Sequence, residues 1–98
     1  MENTFTLSGK YPPIDTKPVI DEALRKQTDF AHARFSRFEK ECGEFESRFG
    51  MNSEEFLAKF ESGELGDAVH WFDWYAALRG KRLWAKKYDI LQSIAWKA

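Results

Sequence analysis

Proline almost disappears after the first fifth of this 98-residue chain. Pro12, Pro13 and Pro18 are its three prolines, so from residue 19 onward nothing withdraws a backbone amide from a helical ladder. Cysteine is nearly absent as well. Cys42 alone excludes a disulfide framework within one chain and points to a reducing compartment, with the cytoplasm as the expectation. There is no surplus of either charge. Lys plus Arg number 15 and Asp plus Glu 16, a net charge of -1, so no global field draws the chain onto nucleic acid or anionic lipid, and an electrostatic partner must read a local patch. No run of 18 apolar residues occurs, and Met1-Glu2-Asn3-Thr4-Phe5 lacks the basic start and apolar run of a signal peptide, which predicts a soluble protein with no membrane role. Repeats, low-complexity runs and β-branched alternation are also missing, which argues against a sheet.

Aromatic residues and helical periodicity are what the chain has. Ile20, Leu24, Ala31, Phe35, Phe38, Cys42, Phe45 and Phe49 recur along one line, broken only by Gln27, in steps averaging about 3.6 residues. That spacing predicts one amphipathic helix of roughly 45 Å, too long for so small a domain to wrap on all sides. Its stripe needs a second long helix or another chain. Pro18 marks the expected start, with Asp21 and Glu22 in the first turn where the helix dipole favours them, and residues 1–17 form an extended arm. The helix runs to about Arg48, tolerating Gly43, and Gly50 ends it as a left-handed cap.

Asn52 or Ser53 then caps a short helix, with Glu55 placed for a capping box, Phe56, Leu57 and Phe60 as its apolar face and Gly63 at its close. Asp67 is the expected cap of a third helix starting at Ala68. Its apolar positions are Val69, Phe72, Ala76, Leu83, Ile90 or Leu91, and Ile94, carried as one helix through Gly80 towards residue 97. The fold class that follows is all-α: long helix, short helix, long helix, forming an antiparallel hairpin or bundle over residues 18–98, with the arm in front.

Candidate chemistry is sparse. Asp29-x-x-His32 and Asp67-x-x-His70 have a spacing used for metals in helical bundles, but Asp67 is explained as a cap and His32 flanks the stripe, so no metal is expected. His70 and Asp73 read as a surface hydrogen bond, and Cys42 as a small core hydrophobe, ahead of catalytic roles. No catalytic residue or cofactor is expected. Arg79, Lys81, Arg82, Lys86 and Lys87, interleaved with Trp84 and Tyr88, have the composition of a nucleic-acid contact surface; a solvated helix face explains them more simply. Glu39, Glu41, Glu44, Glu46, Glu54, Glu55, Glu61 and Glu64 supply the opposite charge, so complementary faces can pair within the chain or between two copies. Trp71, Trp74 and Tyr75 beside Phe72 are too many rings for one face. They either pack beneath the short helix and arm or anchor an interface, where Trp, Tyr and Arg carry most of the energy.

Residues 51 to about 91 resemble small helical prokaryotic antitoxins of toxin-antitoxin pairs, in which Glu-Glu-Phe is followed by an aromatic four residues on, by Gly-Glu-Leu-Gly-Asp, and by an aromatic-acidic-Trp segment. The matching residues are Glu54, Glu55, Phe56, Phe60, Gly63, Glu64, Leu65, Gly66, Asp67, Phe72, Asp73 and Trp74. His70 stands where the pattern carries an acidic residue, and the Phe-rich first helix lies outside it. The resemblance implies a non-enzymatic antitoxin that occludes a cognate toxin. Trp71, Trp74, Tyr75, Phe5 and Tyr11 are its expected partner-binding residues, and Phe35, Phe38, Phe45 and Phe49 its core or homodimer stripe. The alternative is a nucleic-acid-binding helical protein using Arg79, Lys81, Arg82, Trp84, Lys86 and Lys87; a metal-dependent bundle enzyme ranks last.

Overall fold

The computed structural model describes residues 4–6 and 8–97, with side chains from residue 8 to residue 94. The elements run β1 (Thr4–Thr6), α1 (Pro13–Phe49), α2 (Ser53–Glu61), α3 (Val69–Ser93) and β2 (Ala95–Lys97). The chain is the all-α hairpin its periodicity predicts. Phe49 meets His70 and Trp71 at one end, Phe38 lies against Gly80 in the middle, and His32 meets Tyr88 lower down, so α1 and α3 run antiparallel.

The start of α1 differs from expectation. It begins at Pro13 and continues through Pro18, so the extended arm stops at Pro12 instead of residue 17. Pro13 occupies the first helical position, where a missing amide is harmless, and the amides of Asp15 and Thr16 both reach the Pro12 carbonyl, at 2.9 and 3.1 Å. Pro18 cannot bond the Ile14 carbonyl, but both residues are exposed and water can take that acceptor. The other end is as expected. Gly50 adopts φ 66° and its amide bonds the Glu46 carbonyl at 2.9 Å. Along the inner stripe Ala31 and Cys42 are buried and Phe35, Phe38, Phe45 and Phe49 half-buried. Thr28 takes the inward place next to Gln27, its hydroxyl donating to the Leu24 carbonyl at 2.7 Å.

Asn52 caps α2 by accepting from the Glu55 amide at 2.8 Å, and the Glu46 carboxylate reaches across from α1 to accept from the Ser53 amide at 2.8 Å. α3 is continuous through Gly80, as expected. Its N-cap is Ala68, without a side-chain hydrogen bond, so the expected Asp67 cap does not form. Gly66, at φ 77°, turns the chain, and the first turn closes from the Trp71 amide to the Ala68 carbonyl at 3.1 Å. The helix stops at Ser93, short of residue 97. Ala95–Lys97 instead pairs in parallel with Thr4–Thr6, a three-residue ribbon that the sequence reading did not foresee.

The larger correction concerns which side of α3 is inside. Val69, Phe72, Leu83 and Ile90, read as its core line, are all exposed, Val69 at 73%. Trp74, Ala77 and Leu78 are buried instead, with Trp71, Lys81, Ala85 and Tyr88 half-buried on the same side. α3 carries two apolar lines on opposite faces, and the one richer in aromatic area packs against α1. With 25 residues against 37, α3 also leaves the first turns of α1 projecting, in a molecule 58 Å long and 24 by 18 Å across.

Candidate protein-interaction surfaces

Trp74 is the centre of the core and not an open anchor. It is fully buried, stacked 4.0 Å from Phe56 at 7° between planes and 5.6 Å from Phe45, and its indole Nε1 donates to Ser53 Oγ at 3.1 Å. Ser53 thus bonds α3 through its hydroxyl and α1 through its amide. Trp71 lies 4.6 Å from Phe49 and 4.2 Å from His70, and Tyr75 4.9 Å from Phe60; both are half-buried. These rings fasten α2 onto the hairpin, so of the expected partner-binding trio only the edges of Trp71 and Tyr75 reach the surface. The Phe45 and Phe49 part of the Phe stripe stacks on Trp74 as well, at 5.6 and 5.9 Å. That part of the stripe is packed within its own chain, while Phe38 and Phe45 also border an open groove. The Phe5 side chain lies outside the described residues. Tyr11 is 62% exposed.

The segment 79–88 does not present one cationic face. Arg82 pairs with Glu54 at 2.6 Å, Arg79 covers Tyr75 at 5.7 Å, Lys87 covers Trp84 at 4.6 Å, Lys81 is half-buried, and Lys86 is exposed. Its rings are engaged too. Trp84 meets Phe30 edge-on at 5.4 Å and Tyr88 lies 5.2 Å from His32, accepting at its hydroxyl from Gln92 at 2.6 Å, so neither is a free platform for a base.

The two Asp-x-x-His turns are far apart. His32 sits against Tyr88 and His70 against Phe49, separated by about 25 Å of hairpin. No group of three or more His, Cys, Asp or Glu positioned for a metal occurs among the described residues. Cys42 is buried; desolvation raises its thiol pKa, opposed by the nearby Lys81 charge and by Ser53. A thiol held protonated there is a core group.

Two surfaces emerge of which the sequence singled out as partner-binding only Tyr11. The projecting start of α1 bears Tyr11, Ile14 and Val19 in the open, Ile14 at 81%, and Tyr11 and Val19 border a shallow apolar groove with Asp15, Thr16 and Ile20. The period was readable there, but the place where α3 ends was not. Along the hairpin, a second groove lies between α1 and α3, lined by Phe38, Phe45, Ala76 and Ala77 with Glu41, Glu44, Arg48 and Asp73. No described helix is long and apolar enough to cross a membrane. No family model, curated protein or solved structure matches this chain.

Proposed function

We propose that this chain is a non-enzymatic protein-binding module of the cytoplasm, an antitoxin that neutralises a cognate toxin by covering its working surface. The observation that carries this reading is the projecting start of α1, where Tyr11, Ile14 and Val19 stand exposed beyond the reach of α3. Apolar side chains on a rigid helix end are the anchors of helix-in-groove recognition. Ile14 and Val19, five residues apart, lie about 140° round the helix from each other, so a partner must wrap the helix end to cover both. Burying either contributes about 1.5–3 kcal/mol, and the helix is already formed and costs little ordering entropy. The likeness of residues 51–91 to antitoxins supports the same reading, with the partly open Trp71 and Tyr75 edges as a second contact.

The test is co-expression with the product of the adjoining reading frame. Wild-type protein is expected to co-purify with that product and relieve its growth arrest. The double variant Ile14→Asp, Val19→Asp should lose both effects while keeping its helical circular dichroism, because neither side chain is part of the hairpin core. Retained capture and rescue by that variant, or no capture by the wild type, refutes the proposal.

A further inference from the structure

We propose that the side of the hairpin left open by α2 seats a second copy of this chain, packed about a two-fold axis with the α3 helices antiparallel. This inference does not depend on the identity of a toxin.

The α2 helix covers one side of the α1–α3 layer, through Phe56 on Trp74 and Phe60 on Tyr75. The other side is open and divided in charge. Towards the β ribbon it is cationic and aromatic: the Arg34 guanidinium lies 5.8 Å from Phe30, 5.7 Å from Phe38 and 5.6 Å from Trp84, and Lys87 covers the same Trp84 ring at 4.6 Å. Beyond Phe38 the face becomes the groove between the helices, with Phe45, Ala76 and Ala77 as its floor and Glu41, Glu44 and Asp73 around it. Arg48, the one cation lining that groove, is turned onto Phe49 at 4.8 Å. Arg37 pairs with Glu41 at 3.4 Å, which leaves Glu44 and Asp73 as the groove's carboxylates without an ion pair among the described residues. Ala76 also belongs to the outer line of α3, where Val69, Ala76, Leu83 and Ile90 recur every seven residues with Val69, Leu83 and Ile90 exposed. A seven-residue apolar line is what one helix presents to another along an extended contact.

Charge selects the partner and its direction. An antiparallel second copy places the Arg34 and Lys87 half of each chain over the Glu41, Glu44 and Asp73 half of the other, so the patch is complementary to itself, as a two-fold interface requires. Parallel packing would set cation on cation. The Arg34 charge is set over three rings and not over a carboxylate, and its Nε is buried with no hydrogen-bond partner among the described residues. The Nε itself is out of reach of an incoming chain, but a carboxylate from the facing groove can pair with the outer guanidinium nitrogens. The face runs about 37 Å along α3 and spans most of a molecule 24 Å across, room for the ~800 Å² per partner of a standard interface.

Sedimentation equilibrium of the full chain tests this, with expected dimerisation by about 100 μM, far above the micromolar Kd at the weak end for an interface of that size. Glu44→Lys and Lys87→Glu, both at exposed positions, should each weaken self-association at least tenfold, and an equimolar mixture of the two should restore it, since both cross-contacts then pair opposite charges. Leu83→Asp should also give monomer, with an unchanged helical spectrum. A wild-type monomer at that concentration overturns the proposal. So does a dimer indifferent to these reversals, or one that the mixture fails to restore.

Discussion

Phe56→Ala removes the ring that joins α2 to the hairpin. Phe56 is fully buried, stacked on Trp74 at 4.0 Å and flanked by Phe60 at 5.4 Å and Trp71 at 6.0 Å. Buried Phe→Ala changes cost about 3–5 kcal/mol, depending on how far the site can collapse. Here collapse is resisted from behind, because Trp74 is held by its bond to Ser53 and by Phe45 on its other side. A loss of about 4 kcal/mol is therefore expected, a large part of the 5–15 kcal/mol that a domain of this size commands. Urea unfolding followed by Trp fluorescence and by far-ultraviolet circular dichroism gives the value, and a scanned Tm should fall by about 15 °C or more. Phe56→Leu keeps most of the volume and should lose less than half as much. A loss below about 1 kcal/mol for Phe56→Ala would mean that α2 is not fastened through this stack.

Gly80→Ala sets helix propensity against space. Alanine adds about 1 kcal/mol of helical preference, but its Cβ would lie 2.8 Å from three carbons of the Phe38 ring, so net destabilisation is expected by chemical denaturation. In a Phe38→Ala background the same change should become stabilising; no reversal of sign would refute the crossing geometry. Asn52→Ala should cost about 1 kcal/mol by urea unfolding, since it removes the acceptor of the Glu55 amide, whereas an effect near zero would deny the cap its role. For Cys42, native protein should react with Ellman's reagent far more slowly than urea-unfolded protein. Because burial raises the native thiol pKa, the unfolded chain releases its proton first; stability is full below the ordinary thiol range and falls as pH rises from about 8.5 through the raised native value. Cys42→Ala should flatten that part of the stability-pH curve relative to wild type.

The parts of the fold legible in the sequence are those where one signal had no competitor. The Phe line of α1 was unambiguous, and Gly50 and Asn52 are residues whose backbone and side-chain chemistry suit a helix end. α3 misled because two apolar lines share one helix and period alone does not say which is covered; aromatic area decided it. The early start of α1 was hidden by Pro18, whose usual meaning at a helix mouth was displaced by the better-placed Pro13. The β ribbon joins segments at opposite ends of the chain, a pairing that no local pattern can reveal. At the candidate surfaces, composition identified Trp71, Trp74 and Tyr75 as exceptional but could not separate glue from anchor. The open groove and the bare start of α1 follow from relative helix lengths and the position of α2, both tertiary facts.

Two rods meeting along greasy ridges have many nearly equivalent ways to lie together, because sliding by one turn, about 5.4 Å, replaces ring with ring. Ser53 breaks that degeneracy. It answers to Glu46 on one rod and to Trp74 on the other, and a single slipped turn would strand the indole N–H in a dry interior. The small helix that begins there works as a detent, clicking home only when both long partners have stopped at the same mark.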